Sequence, residues 1–217
     1  MNRKNWIVLS GCLLGALLVC LVLMWTTDPD RKAARLARSD NPDDRIQAVE
    51  MLRGSGGDDA RETLAALAKD KSLKVSLAAA AALGASQDES FVGPLRGLVA
   101  GAGDPKVRGR AAAGLGRYKS STTDELVKLL RGDKDAPVRA GAAEGLSQKR
   151  DKAAIEPLLL AMADDPDLAV RKWAAEALYK TVGMRSFYNP NDSLPQRRAM
   201  VARFRSEVAK VEARIPR

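Results

Sequence analysis

The sequence predicts an all-α chain: an α-solenoid of about five stacked helical hairpins, preceded by one transmembrane helix and followed by a C-terminal capping helix. Three observations lead there. One phrase recurs, as "DPKVRGRAAAGLGRY" from Asp104, "DAPVRAGAAEGLS" from Asp135 and "DPDLAVRKWAAEALYK" from Asp165, with a looser "DKSLKVSLAAAAALG" from Asp70. Aromatic residues are only 4% of the 217, and valine, isoleucine and aromatics nowhere alternate as a half-buried strand requires. Finally, "WIVLSGCLLGALLVCLVLMW", Trp6 to Trp25, is an apolar stretch of twenty residues without a charge.

Along the chain, residues 1–5 form a short basic tail and residues 6–25 the apolar stretch. At about 1.5 Å per residue a helix of that length spans roughly 30 Å, the thickness of a bilayer's hydrocarbon core. A tryptophan at each end suits interfacial anchoring. A cleaved signal peptide requires a shorter apolar core and a small-x-small site, which "LMWTTD" lacks. "LSGC", ending at Cys12, has the look of a lipidation box, but the apolar run before it is short and continues well past it. An uncleaved single-span anchor is the expectation. Arg3 and Lys4 favour an N-terminus inside the cell, while Arg31, Lys32, Arg35 and Arg38 argue the other way. Short basic N-tails commonly stay inside and long domains translocate regardless of charge. The bulk of the chain is therefore expected outside the cytoplasm.

Residues 26–183 carry the repeats. Val75, Val107, Val138 and Val170 mark the phrase, and Asp44 falls in line before them, at intervals of 31, 32, 31 and 32. Four residues after each marker stands an alanine (Ala48, Ala79, Ala111, Ala142, Ala174), and eight after, a leucine (Leu52, Leu83, Leu115, Leu146, Leu178). An arginine follows the marker in four of five copies, Arg45, Arg108, Arg139 and Arg171, with Ser76 the exception. An earlier apolar segment repeats too, through Leu67, Leu98, Leu129 and Leu160. A period of this length means stacked units. Each reads as two antiparallel helices, the second opened by an aspartate cap. Asp104-Pro105 and Asp165-Pro166 place proline at the first helical position. Gly84 and Gly116 are expected to end their helices. The many small residues let each second helix lie close to its neighbours, although each glycine costs about 1 kcal/mol of helix propensity.

Residues 184–217 leave the pattern. "GMRSFYNPNDSLPQ" reads as a loop, and Ser193 with Gln196 makes a capping box for a basic amphipathic helix carrying Met200, Phe204, Val208, Val211 and Ile215 on one stripe. It either covers the open end of the last repeat or lies against an acidic surface. Capping is the preferred reading.

The phrase DPxVRxxAAxxLG on a 31–32-residue hairpin resembles the HEAT-repeat family, in particular the short HEAT-like repeats also found in bilin lyases, and the loop-and-helix tail is similar to tails that follow such repeats in some bacterial proteins. The resemblance implies a ladder in which Arg108, Arg139 and Arg171 pair with turn aspartates such as Asp104, Asp135 and Asp165, as scaffold. It carries no activity with it, because a shared scaffold does not specify a site.

Composition removes most chemistry. The chain has no histidine, and its two cysteines, Cys12 and Cys20, lie in the apolar stretch. Ser-His-Asp and Cys-His catalysis, histidine-based metal sites and redox pairs are excluded. Histidine-dependent iron hydroxylases built on similar repeats are excluded with them. "GSGGDD" at 54–59 lacks the Lys-Ser/Thr of a phosphate loop. Asp43-Asp44 and Asp164-Asp165 read as caps. No cofactor, metal or small-molecule substrate site is evident.

The net charge of +9 is local, with +4 in residues 104–134 and +5 in residues 185–217. Nucleic-acid binding through Arg108, Arg110, Arg117, Lys119 and the tail is one reading, opposed by the lack of an aromatic platform beyond Trp173 and Tyr118. An enzyme of unrecognised type is another. The preferred one is a membrane-tethered scaffold binding a protein partner on its concave face. Residues two, six and ten after each marker are expected to line that face: Arg117, Glu144, Lys172, Glu176 and Lys180, with Arg110 and Trp173 at its edge.

Overall fold

The computed structural model describes residues 29–86, 88–183 and 188–213. The expected membrane span at 6–25, with Cys12, lies outside them. Among the described residues no helix is long and apolar enough to cross a membrane.

Eleven α-helices and no strand occur among the described residues. Five hairpins follow one another: α1 (Pro29–Leu36) with α2 (Pro42–Leu52), α3 (Asp58–Leu67) with α4 (Leu73–Ala85), and α5 (Val92–Gly101) with α6 (Pro105–Leu115). Next come α7 (Thr123–Gly132) with α8 (Ala136–Lys149) and α9 (Ile155–Asp164) with α10 (Leu168–Val182). Helix α11 (Leu194–Ala213) closes the stack. The caps of the second helices vary more than the phrase suggests: Asn41, Ser72, Asp104, Asp135 and Asp167. Asp104 accepts from the Lys106 N–H at 2.7 Å ahead of Pro105 at the first helical position. In the fifth repeat the expected Asp165-Pro166 start is displaced. Helix α10 begins at Leu168, capped by Asp167, because Asp165 is engaged elsewhere. Asp43 and Asp44 lie in the first turn of α2, behind the true cap, Asn41.

The marker valines, the alanines four residues on and the leucines eight on are all buried. The first helices differ from expectation. Leu67 and Leu98 are buried, but Leu129 is only partly so and Leu160 is 39% exposed. The continuous core column lies three residues earlier in the second to fourth repeats and two in the fifth, on Leu64, Leu95, Leu126 and Leu158. Of these, Leu64, Leu95, Leu126 and Leu158 are each no more than 1% exposed. Residues three apart share a helix face, so both columns suit the early repeats. Only packing in repeats four and five separates them.

Small residues set the spacing of the second helices. A Cβ on Gly109 would lie 2.2 Å from the Pro137 carbonyl oxygen, and one on Gly141 only 2.0 Å from that of Gly109. Gly116 meets Gly145 just as closely. Gly84 does not end α4, which runs on to Ala85; it sits against Gly114, whose Cα would be 2.7 Å from an added Cβ. Successive second helices thus pack broadly on one another, while successive first helices scarcely meet. The layer with the shorter spacing lies inside the bend. Helices α2, α4, α6, α8 and α10 form the concave face.

A guanidinium staple fastens the turns. Arg45 binds Asp70 of the next repeat through two hydrogen bonds, at 2.7 and 2.9 Å, and its third nitrogen donates to the Ser39 and Asp40 carbonyls. Arg108 repeats this with Asp135 at 2.5 Å, and Arg139 with Asp165 at 2.8 and 3.0 Å. Each rung therefore ties an arginine to the following repeat. Asp104 is no rung, and Arg171, with no repeat beyond it, donates to the Pro190 carbonyl at 2.8 Å. Among the described residues the second-to-third seam has no rung. Ser76 replaces the arginine, which leaves Asp104, in the register of Asp135 three residues before the marker, without a counterpart guanidinium. Five before the marker stands Ala102, where the second, fourth and fifth repeats carry Asp70, Asp133 and Asp165. That seam is held at its other end, where the buried Tyr118 hydroxyl donates to the Leu83 carbonyl. Glu89, accepting from the Lys119 and Ser120 N–H groups, instead ties the start of the third repeat to the turn before the fourth.

Burial pushes the Asp70 carboxyl up, but the Arg45 guanidinium and the Ser72 N–H outweigh it and hold its pKa below the ordinary 3.8. A carboxyl whose folded pKa lies below its unfolded one adds stability in full above the unfolded value and loses it as pH falls through the folded one. Below about pH 4 the Tm of the chain is expected to drop, and Asp70→Asn should drop less over the same interval. Thermal melts at pH 7 and pH 3 check this; equal losses would remove the rung from the acid response.

Helix α11 lies against α9. Val201, Phe204 and Val208 are buried, so the stripe runs through Val201 where Met200 was expected. The side chains of Val211 and Ile215 lie outside what the structure describes. One half of the capping box forms: the Ser193 N–H and hydroxyl both donate to Gln196 Oε1, at 3.0 and 2.7 Å. Two basic residues of the helix pair with α9 carboxylates, Arg198 with Asp164 at 2.7 Å and Arg205 with Glu156 at 2.5 Å.

Candidate functional site

On the concave face, residues six and ten after the markers of repeats two to four come together. Ala81, Ala85, Ala113, Arg117 and Glu144 line one cavity of about 130 Å³. Gly84 and Gly114 complete its floor, and Arg110 stands at its side. The floor is bare because the same closely packed small residues that bring α4 against α6 present no side chain to cover it. Arg53, contributed by the first repeat, is the residue sequence reasoning missed. It lies nine after its marker because α2 ends at Leu52 and the Arg53 backbone turns extended, at φ −65° and ψ 113°. A helical count cannot anticipate that break.

The charges here are loosely held. Arg110 and Glu144 stand 3.9 Å apart, at the limit of an ion pair. Arg53 meets Glu50 one turn back at 3.4 Å, with both about half exposed. Arg117 is exposed and has no ion-pair partner among the described residues. Contrast Arg108, named in the nucleic-acid reading, which is held in the ladder against Asp135. Tyr118, named as a stacking platform, is 2% exposed. Burial pushes its hydroxyl up to about 12.

The expected residues of the fifth repeat lie apart from this cavity. Lys172 is exposed on α10, and Lys180 pairs with Glu176 at 3.2 Å. Trp173 is half-buried against the core. The rule that residues two after the marker face the groove fails in repeats three and four, where Gly109 and Ala140 are buried in the stack. Lys172 escapes that fate because no sixth second helix packs on α10.

Among the described residues no three histidines, cysteines or carboxylates are grouped to hold a metal ion. Larger clefts of about 470 and 490 Å³ lie at the turns, lined in part by the rungs Arg139–Asp165 and Arg108–Asp135. They are seams between repeats, and Arg139, Asp165, Arg108 and Asp135 in them already serve the ladder.

A designed armadillo repeat protein in complex with the peptide (KR)4 is similar at 18% identity, over 82% of this chain and 94% of that one, with a TM-score of 0.43. No curated protein matches. The HEAT repeats family matches over residues 29–102 and 94–179, most of the chain. With two tandem matches spanning the five hairpins, the chain belongs to the HEAT repeat family.

Proposed function

We propose that this chain is a membrane-tethered scaffold that binds a protein partner along the concave face of α2, α4, α6, α8 and α10, with no catalysis of its own. The observation that supports it is the face itself: a bare floor of alanine and glycine rimmed by loosely paired charges of both signs. Solenoids commonly use such extended inner surfaces to hold polypeptides. The tether is residues 6–25, and the N-terminus lies in the cytoplasm with the repeats outside it; the support is the uncharged length of that stretch and the basic tail before it. The short period and the DPxVR phrase favour the bilin-lyase type of repeat, as scaffold only.

A photo-crosslinking residue placed at Lys172 or Glu176, in the full chain in its native membrane, is expected to capture one protein. The same residue at the exposed Lys128 of the outer helix α7 is expected to capture none. Adducts from Lys128 alone would overturn the concave assignment. Trp173→Ala cannot carry this test by itself, because the ring also packs on the core.

A further inference from the structure

We propose that the cavity floored by Gly84 and Gly114 recognises an acidic peptide segment, with Arg53, Arg110 and Arg117 as its carboxylate-binding groups. The inference rests on the concave-face reading and names the chemistry of the partner.

Three guanidinium groups and one carboxylate line the cavity. Arginine presents a planar fork of donors that matches a carboxylate in two-point geometry. Here the forks are available. Arg117 has no carboxylate partner among the described residues, and the Glu144 contact to Arg110, at 3.9 Å, is too long for a hydrogen bond. Glu50, which holds Arg53 at 3.4 Å, is a neighbour on the same helix end and solvent-exposed, so exchanging it for an incoming carboxylate costs little.

Size narrows the ligand. At about 130 Å³ the cavity is well below the several hundred Å³ of a typical small-molecule site, roughly 300 Å³ and upward. It accommodates a side chain of an extended chain, not a cofactor. The bare floor lets a backbone lie close to α4 and α6, and the arginines come from the first and third repeats, to either side of it. Continuity of charge separates peptide from nucleic acid. A phosphate backbone is matched by an unbroken positive track with aromatic platforms. This face instead meets Glu144 on the fourth repeat and Glu176 on the fifth, and its floor has no ring. The positive end is local, so the complementary segment is acidic over a few residues and mixed beyond them.

The test uses the full chain in phosphatidylcholine nanodiscs, which carry no net lipid charge to compete. Rhodamine-labelled deca-glutamate, deca-lysine and a ten-nucleotide oligothymidylate are titrated by fluorescence anisotropy. Deca-glutamate is expected to bind saturably and deca-lysine not at all. Arg110→Glu and Arg117→Glu are each expected to weaken deca-glutamate binding by about tenfold or more, while Lys128→Glu, at an exposed site on the outer helix α7, changes it less than about twofold. Glu144→Gln is expected to tighten it, a direction that damage to the fold cannot mimic. Absence of saturable binding, equal losses in Lys128→Glu, or weakened binding in Glu144→Gln would overturn the proposal. So would oligothymidylate binding of equal strength that is lost in the same arginine variants. The two readings fail separately. Undiminished Glu176 crosslinks in an Arg110→Glu/Arg117→Glu chain would sink acidic recognition and leave the concave surface standing. Deca-glutamate binding without concave crosslinks would do the reverse.

Discussion

Gly141→Ala is expected to destabilise the chain by about 2–3 kcal/mol, a fall in Tm of roughly 4–12 °C. Gly97→Ala is expected to raise stability by about 1 kcal/mol. The substitution is the same, both sites are helical, and the signs differ because of the neighbours. Gly97 lies inside α5 with nothing within 4 Å of an added Cβ. Alanine there only reduces the freedom of the unfolded chain and improves helix propensity. At Gly141 an added Cβ would sit 2.0 Å from the Gly109 carbonyl oxygen and 2.6 Å from its carbon. Backbone cannot rotate aside as a side chain can, so α6 and α8 must separate. Contacts along the whole length of that seam loosen together. Thermal melts of the two variants decide the matter. A neutral or stabilising Gly141→Ala would mean that helix propensity outweighs the approach of α6 to α8.

Arg139→Ala is expected to cost about 2–3 kcal/mol. That is below the usual cost of breaking a fully buried pair because the guanidinium keeps 12% exposure and the Asp165 carboxylate 8%. The loss has two parts. Asp165 is left with the Asp167 N–H as a partner but no countercharge. The Asp133 and Lys134 carbonyls lose their shared donor at 3.0 and 3.2 Å. Arg139→Lys should recover little, since an ammonium cannot address the carboxylate and both carbonyls with a fixed fork. The double change Arg139→Met/Asp165→Leu should recover most of it, because no charge is then left unpaired. Chemical denaturation of the four proteins checks the pattern; an Arg139→Lys chain as stable as the parent would show that charge alone matters at the rung.

Much of this architecture is legible in the sequence, and the exceptions have physical causes. The marker valines, the alanines and the leucines specify the second helices because one buried stripe on a helix admits few registers. The first-helix column is ambiguous, since Leu64 and Leu67 both suit a helix face and only packing around Leu158 and the exposed Leu160 separates the alternatives. Gly84 looks like a helix stop locally, yet it serves an approach to Gly114, thirty residues on, which local sequence cannot report. Asp165 looks like a cap until Arg139, from the preceding repeat, claims it. At the cavity, the six-and-ten spacing locates Arg117 and Glu144. Arg53 is hidden by the change of backbone conformation at the end of α2.

The missing rung has a mechanical meaning. Under tension along its axis, the stack is not a uniform spring. Three of its four seams can part at the turns only by stretching a guanidinium–carboxylate bond. The seam between the second and third repeats is fastened on one side, at Tyr118, and unlatched on the other. Such a joint swings like a book on its spine, so bending concentrates there while the flanking blocks stay stiff. The arginine-rimmed cavity straddles that joint, with Arg53 on one leaf and Arg110 and Arg117 on the other. Opening the leaves draws the jaws apart, and an occupant gripping both jaws resists the opening. If the proposed acidic segment binds there, load on the stack and grip on that segment become reciprocal quantities, each able to work against the other.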